Sequence, residues 1–168
     1  MLQYDFEQSV GYWVTVTSLA FHRLLNEELA PHGITFRQSQ VLGWLALKGP
    51  LSQSQLACYM QVEAPTLAGL IDRMERAGWI RREACPDDRR KKLVVTNCEA
   101  EPIWEQIADC ARRVRSVATK GLSEEQIETL RGQLKQVHEN LLDALSSREL
   151  SSEPTCRPST DDRHGERT

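Results

Sequence analysis

Apolar residues recur along this chain mostly at spacings of three and four, the pattern of helices with one buried face. The first such stretch covers residues 6–29. Its stripe of apolar or small side chains consists of Val10, Val14, Thr17, Phe21 and Leu24. Pro31 and Gly33 follow the stretch, and both residue types commonly end helices. The pattern therefore predicts an amphipathic helix that ends before Pro31.

Three further helix starts have the spacing of a capping box, in which a Ser or Thr and a Gln three residues later satisfy each other's backbone N–H groups. The pairs are Thr35 with Gln38, Ser52 with Gln55 and Ser123 with Gln126. Around the second start, Leu51 and Leu56 also have the spacing of a hydrophobic staple. These signals predict helices that begin at residues 35, 52 and 123, the first of which should end at the Gly49-Pro50 pair.

Another helix is predicted between Pro65, which suits the first turn of a helix, and Gly78, which suits its end. Its buried stripe should be Leu67, Leu70, Ile71 and Met74. The opposite face would present Thr66, Gly69, Arg73 and Arg76. Two guanidinium groups and two small residues on one outward face indicate a surface suited to close contact with an anionic partner.

Residues 80–84 and 92–96 predict the two strands of a hairpin, because the second is rich in β-branched residues and Pro86, Asp87 and Asp88 supply a turn. A helix should follow over roughly residues 98–119, and Gly121 should end it. Its apolar stripe is Ile103, Ile107, Ala111 or Cys110, Val114 and Val117.

The last predicted helix covers residues 123–147 and has an apolar seam close to a heptad repeat. The seam consists of Ile127, Leu130, Leu134, Val137, Leu141 and either Leu145 or Ala144. Such a seam favours association with a second helix, so we expect a dimerisation element. Residues 148–168 are rich in Ser, Pro and charged side chains, which predicts a disordered tail.

Together these elements predict a mainly α fold with a small β-hairpin, organised as a single domain over residues 1–147. Residues 35–96 would form a winged helix-turn-helix lobe. Residues 6–32 and 98–147 would form the N- and C-terminal helical dimerisation region, with Val10 and Val14 at the interface beside Ile127, Leu130, Leu134, Val137 and Leu141.

The charge of the chain is unevenly distributed. The formal net charge is −3 and the pI is about 5.8, which argues against non-specific coating of nucleic acid. Between Arg76 and Lys92, however, seven basic residues outnumber three acidic ones, a local balance of +4. Any attraction to a polyanion must therefore come from this segment and the surfaces beside it.

Several classes of protein are disfavoured by the sequence. No apolar run approaches the roughly 20 residues that span a bilayer, and the N-terminal residues are too polar for a secretory signal, so we expect a cytoplasmic protein without membrane contact. The five cysteines and four histidines lack the spacing of a disulfide framework or a metal site. No GxSxG, HExxH, GxGxxG or P-loop motif is present, so we expect no enzyme, metal or cofactor.

The outward face and the basic hairpin together suit double-stranded DNA, with the helix in the major groove and the hairpin on the backbone or in the minor groove. The candidate DNA contacts are Arg37, Ser52, Ser54, Gln55, Ala64, Pro65, Thr66, Gly69, Arg73, Asp88, Arg89, Arg90 and Lys91. Arg90 is expected to enter the minor groove, while Asp88 and Arg89 form a local ion pair. The alternatives are solvated charged surfaces, ion pairs of Arg73 and Arg76 with Asp72 and Glu75, and simple capping by Ser52 and Gln55.

From about residue 8 to 147 the chain resembles the MarR-type winged-helix regulators, especially their SlyA-like branch. The resemblance is carried by the order of elements, by QSQLACYMQVEAPTLAGLIDRMERAGWI and by DDRRKKLVVT followed by NCEAEPIW. It implies a homodimer with interlocked terminal helices and one winged-helix lobe on each half-site of a pseudo-palindrome. Many members repress transcription and release DNA when a small aromatic anion binds between the dimer and DNA lobes.

A pocket for such an effector could be formed by the aromatic and polar residues of the first two helices, namely Trp13, Thr17, His22, Phe36 and Trp44. The alternative is that these residues belong to the core. Two other functions stay open. The winged helix could bind a protein instead of DNA, or Cys85, which lies near Arg81 and Arg82, could serve as a thiol-based redox sensor.

Overall fold

The structure, a computed structural model, describes residues 5–86, 88 and 91–149. Its helices are α1 (Val10–Leu29), α2 (Phe36–Lys48), α3 (Gln53–Met60), α4 (Ala64–Arg76), α5 (Ala100–Ala118) and α6 (Glu124–Glu149). Its strands are β1 (Leu51–Ser52), β2 (Ile80–Ala84) and β3 (Lys92–Thr96). This architecture confirms the predicted fold class. None of the described helices is long and apolar enough to span a membrane.

The chain divides into two compact units, the first ending at Lys120 and the second beginning at Gly121. The first unit holds the helix-turn-helix and the sheet. Its core joins the end of α1 to α2, α3, α4, α5 and all three strands. The largest side chains that are fully buried there are Leu29, Val41, Leu42, Leu56, Leu67, Ile71, Met74, Ile80, Val94, Cys110 and Val114.

All three predicted capping boxes are formed. At the start of α2, Thr35 Oγ1 accepts from the Gln38 backbone N–H at 3.3 Å, and Gln38 Oε1 accepts from the Thr35 N–H at 2.8 Å. The corresponding reciprocal pairs open α3 at Ser52 and α6 at Ser123. Because each box satisfies two otherwise unpaired N–H groups, the local sequence fixes where these helices begin.

The capping box of α3 gives a direct test of this local control. We expect Ser52→Ala to destabilise the fold by about 1 kcal/mol, because the Gln55 backbone N–H loses its acceptor. The other half of the box stays, since the Gln55 side chain still accepts from the backbone N–H of residue 52. Chemical denaturation followed by circular dichroism would measure the change. Ser116→Ala is the matched control, since Ser116 is an exposed serine inside α5. An equal loss of stability in both variants would contradict the capping role.

The sheet contains a strand that the sequence did not predict. The strand order is β1-β3-β2, and the two-residue strand β1 pairs with β3 through Leu51↔Val94 and Ser52↔Leu93. A strand of two residues is too short to show an alternating sequence pattern. Only its pairing with β3 identifies it as a strand. The other two strands have the predicted bounds. β1 therefore joins the start of α3 to the base of the hairpin.

The first helix differs from its prediction. Residues 6–8 form a 3-10 turn, and α1 begins after Ser9, whose side chain accepts from the Tyr12 N–H at 3.4 Å. The buried residues of α1 are Leu25 and Leu29, whereas the predicted stripe is largely exposed, with Val10 62%, Val14 41% and Phe21 37% accessible. Only the last turns of α1 pack into the core of this unit. The apolar face of the earlier turns is left exposed.

The two C-terminal helices largely follow their patterns. In α5 the core positions are Ala100, Ile107, Cys110 and Val114, which settles the alternative between Ala111 and Cys110. Val117, at the end of the predicted stripe, is 62% exposed and lies outside the core. In α6, Leu130, Leu134 and Leu141 are 44%, 47% and 59% exposed. The helix extends to Glu149, so the predicted tail began two residues too early, and residues 150–168 lie outside the described part of the chain.

Candidate nucleic-acid interface

Helix α4 presents the outward face that the sequence predicted. Its inner side is anchored by four buried residues, Leu67, Leu70, Ile71 and Met74. On the opposite side Thr66, Arg73 and Arg76 are exposed and Gly69 is partly exposed. The helix begins at Ala64, near the predicted start, with Pro65 in its first turn and Gly78, at a φ of 79°, after its end. A rigidly seated helix thus carries these four residues on a single accessible row.

The guanidinium groups of this row are not neutralised by their neighbours on α4. Asp72 and Glu75 instead form salt bridges with Arg82 of strand β2. Arg76 Nε donates to the backbone carbonyl of Asp72 at 3.2 Å. Among the described residues, no carboxylate pairs with Arg73 or Arg76. The suggestion that these arginines are held in ion pairs with Asp72 and Glu75 is therefore wrong.

Gly69 is not required by packing within the chain. A Cβ placed there would meet the Arg73 Nη1 at 3.6 Å, which is an ordinary contact with the end of a flexible side chain. The absence of a side chain therefore has its effect on the outer surface, where the backbone of α4 can be approached closely. Ala64 and Pro65, also candidate contacts, are exposed at the start of the same helix.

The turn between α3 and α4 depends on a conformation that the sequence pattern did not reveal. Gln61 adopts a left-handed conformation with φ 50° and follows the last residue of α3. Its N–H donates to Cys58 O at 3.1 Å, and the Val62 N–H donates to Ala57 O at 3.1 Å. These bonds satisfy the terminal carbonyls of α3 and redirect the chain into α4.

The candidate phosphate ligands near α3 are already engaged within the fold. Arg37 Nη1 donates to Gln40 Oε1 at 3.0 Å and to Met60 O at 3.3 Å, which ties the start of α2 to the end of α3. Ser52 and Gln55 form the capping box, and Ser54 Oγ lies 3.0 Å from Ser52 Oγ. Arg37 and Ser54 are exposed, whereas Ser52 and Gln55 are partly buried. Ser52, Ser54 and Gln55 thus lie together at the start of α3, while Arg37 contacts the last residue of that helix.

The wing consists of β2, β3 and the turn between them. Its register pairs Ile80 with Thr96 and Ala84 with Lys92, and the Cys85 N–H donates to Lys91 O at 2.9 Å. Lys91 Nζ lies 3.9 Å from Asp88 Oδ2. Arg89 and Arg90, predicted for an ion pair with Asp88 and for the minor groove, lie outside the described residues.

Asn97, which the sequence interpretation missed, fixes the base of the wing. Its Nδ2 donates to Gly78 O at 2.8 Å, and its backbone N–H donates to Trp79 O at 3.0 Å. Its Oδ1 accepts from Arg81 Nη1 at 2.6 Å. The side chain therefore joins the end of α4 to both strands. The sequence does show an asparagine directly after a strand, which could have suggested a structural role. The residues near it in sequence did not indicate which groups it would bond.

Arg82 connects the wing to α4. Its Nη2 lies 2.5 Å from Asp72 Oδ1, and its Nη1 donates to Glu75 Oε2. Burial on its own lowers the pKa of Arg82, but the hydrogen bond to Asp72 and the charges of Glu75 and Asp72 outweigh that effect and raise it. The guanidinium therefore stays charged at every physiological pH.

The five residues suggested for an effector pocket have different neighbours in the structure. The rings of His22 and Phe36 are in contact, with centroids 4.4 Å apart. Trp44 instead stacks on Tyr59 at 4.7 Å. Trp13 is 55% exposed and donates its indole N–H to Glu7 O at 2.8 Å. Thr17 is exposed on α1.

A separate cavity of about 370 Å³ lies between α2, the end of β3 and the start of α5. It is lined by Leu42, Ala46, Thr96, Asn97, Cys98, Ala100, Glu101 and Trp104. None of the five residues suggested for the effector is in this lining. Cys85, the candidate redox thiol, is a partly exposed free cysteine in the wing.

Comparison with known proteins places these features in context. A model of the MarR family matches residues 34–92, from the start of α2 into the wing. The uncharacterized HTH-type transcriptional regulator YwoH of Bacillus subtilis is 43% identical over 82 residues, which cover 49% of this chain and 59% of that protein. The match therefore covers less than two thirds of the Bacillus protein.

Two crystal structures resemble a larger part of the chain. A probable transcriptional regulator from Pseudomonas aeruginosa is 30% identical with a TM-score of 0.65, covering 78% of this chain and 98% of that one. A mutant of MarR from E. coli, complexed with operator DNA, is 28% identical with a TM-score of 0.67, covering 80% of this chain and 99% of that one. The similarity thus extends well beyond residues 34–92.

Proposed function

Because this chain belongs to the MarR family of winged-helix transcriptional regulators, we propose that it binds specific sequences in double-stranded DNA as a homodimer. In this proposal it represses transcription until a small-molecule effector binds. Its resemblance to the SlyA-like branch, carried by the wing sequence, is part of the same proposal.

The observation that carries the proposal is the outer row of α4. Arg73 and Arg76 are exposed without a carboxylate partner among the described residues, and Thr66 and Gly69 lie in the same row. An α-helix fits the major groove, where arginine forms bidentate hydrogen bonds to guanine and threonine contacts the thymine methyl group. The operator DNA bound by the E. coli MarR mutant supports the same assignment for the fold.

The exposed apolar faces support the homodimer. In the first unit, Val10 and Val14 are 62% and 41% exposed on α1. In the second unit, Leu134 and Leu141 are 47% and 59% exposed on α6. Large apolar side chains grouped on the faces of two helices mark surfaces that associate with a partner. A second copy of the chain supplies the same faces and would place two α4 helices on the two halves of a palindrome.

The effector part of the proposal is supported by the contact between His22 and Phe36. These two rings join α1 to the start of α2, and the Phe36 N–H donates to Asn26 Oδ1 at 3.2 Å. An aromatic anion that inserted here would change the angle between a proposed dimer helix and the DNA-binding lobe. We therefore propose that such a ligand acts near these residues.

Selection of bound duplexes from a random DNA pool tests the whole proposal. We expect enrichment of a pseudo-palindrome whose half-sites are about 10 base pairs apart, since two symmetry-related helices must enter successive major grooves. The variant with both Arg73→Ala and Arg76→Ala provides the control and should enrich no sequence. If the wild-type protein also enriches none, the alternative of a protein-binding winged helix is favoured.

Single substitutions on α4 should separate affinity from sequence preference. We expect Arg73→Ala to weaken binding and to reduce the slope of log K against log salt by about one per subunit, because one cation that neutralises phosphate charge is lost. Thr66→Ala should relax sequence preference with little change in slope. Fluorescence anisotropy titrations over a range of salt concentrations measure both quantities.

Arg112→Ala is the matched control, because it removes the same charge from an exposed position on α5. It should leave affinity for the selected duplex unchanged. Wild-type affinity and slope in Arg73→Ala would contradict a direct role for the α4 row.

A further inference from the structure

Arg82 stands out because it is a cation of the wing that points toward the protein. Its side chain is only 20% exposed. The guanidinium lies between Asp72 and Glu75, which are one turn apart on α4. The planar fork of arginine can contact two carboxylates at once, whereas a lysine ammonium has no such geometry. The pair of acids on α4 thus fits an arginine at this place in β2.

Glu75 holds the same residue through the backbone. Its Oε1 accepts from the Arg82 N–H at 3.0 Å, in addition to the contact of Oε2 with the guanidinium. Strand β2 is at the edge of the sheet, where alternate N–H groups have no partner strand. One carboxylate therefore satisfies an edge N–H and a charged side chain together. These contacts fix the position of β2 against α4.

The same contacts change the electrostatics of α4. Asp72 and Glu75 neighbour Arg73 and Arg76 in sequence, and Asp72 is 57% exposed. Without a cation beside them, two carboxylates next to the outer row would repel the phosphates of DNA. Arg82 supplies one positive charge to this pair from the inner side of the wing. The guanidinium groups of Arg73 and Arg76 can then attract DNA phosphates with less repulsion from the neighbouring carboxylates.

We propose that Arg82 is a positioning residue for DNA recognition. It acts through Asp72 and Glu75, which fix the wing to α4. It also neutralises acidic charge beside the outer row of α4, and it makes no DNA contact itself. The inference rests on the proposed function. A count of basic residues in the wing would include Arg82 among the phosphate contacts. The inference gives it a role within the protein instead.

A double-mutant cycle in DNA affinity tests this role. We expect Arg82→Met to weaken binding of the selected duplex by about tenfold or more, because it leaves Asp72 and Glu75 uncompensated and releases β2. In a background that carries Asp72→Asn and Glu75→Gln, the same substitution should change affinity by less than about threefold. Arg81→Met, which removes an equal charge from the neighbouring residue of β2, should have the same effect in both backgrounds.

All titrations are made at a temperature where circular dichroism shows each variant to be folded. If Arg82→Met does not fold, Arg82→Lys is used in its place. We expect this variant to lose DNA affinity in the wild-type background and to lose none in the Asp72→Asn, Glu75→Gln background. An equal loss in both backgrounds would show a direct DNA contact and overturn the inference, as would wild-type affinity in Arg82→Met. If the wild-type protein selects no duplex, the proposed function fails and this inference fails with it.

Discussion

Replacing both Leu134 and Leu141 with Asp should convert the protein into a monomer that binds a palindromic duplex about 100-fold or more weakly. Both leucines lie in the heptad seam of α6 and are 47% and 59% exposed. In a dimer, a carboxylate at these positions would lose its hydration without gaining a partner. A monomer also loses the second half-site contact, and such bivalency contributes about 10² to 10⁴ in apparent affinity. Sedimentation velocity and anisotropy titrations measure the two effects.

A matched variant separates loss of the seam from added charge. Thr129→Asp with Gln136→Asp introduces two carboxylates at exposed positions of the same helix. These positions lie about 130° around the helix from the middle of the seam, because successive residues of a helix are about 100° apart. We expect this variant to remain a dimer with nearly unchanged DNA affinity. A tight dimer in the leucine variant would show that α6 is not the dimerisation element.

The charges counted along the sequence overstate the number available to DNA. Arg82 is held by Asp72 and Glu75, which lie outside the basic segment from Arg76 to Lys92. Arg81 forms a salt bridge with Glu83 at 2.6 Å and is also bonded to Asn97. Both arginines therefore stabilise the lobe. The salt dependence of binding should accordingly reflect fewer phosphate contacts than the seven basic residues of the segment would suggest.

The elements of the DNA-binding lobe were predictable where short-range chemistry determines them. The capping boxes at Thr35 and Ser52 set helix starts, because their hydrogen bonds join residues three apart. Gly78 marked the end of α4, since its φ of 79° is strained for other residues. The buried and exposed faces of α4 were predictable from the spacing of its apolar residues, because that spacing places them all on one side of the helix.

Features that depend on contacts distant in sequence were not predictable in this way. The stripe chosen for α1 included Val10 and Val14, whereas Leu25 and Leu29 are buried, because the apolar residues of this helix occupy more than one face. The bond between Asn97 and Gly78 joins residues 19 positions apart. The contact of Arg82 with Asp72 appears only when β2 folds back along α4. Sequence patterns identified the surfaces of this site but not the bonds that hold them in place.

Ile71→Ala should cause a large loss of stability, because the side chain of Ile71 is fully buried beneath the recognition row. Removing three methyl or methylene groups from a packed core leaves a cavity and costs about 2–5 kcal/mol. Urea denaturation measures the change, and an unaltered m-value would show that the native and unfolded states keep their exposed surfaces. Leu47→Ala is the control, since Leu47 is 70% exposed on α2 and should change stability by less than about 0.5 kcal/mol.

The same variant relates core packing to DNA binding. At a temperature where Ile71→Ala is still folded, the outer row of α4 keeps Thr66, Arg73 and Arg76, so the salt slope of DNA binding should match that of the wild type. Affinity should fall only to the extent that α4 becomes less rigidly seated. A loss of stability below about 1 kcal/mol would contradict the burial of Ile71. A reduced salt slope would mean that seating of α4, and not only its charge, determines which phosphates the row can contact.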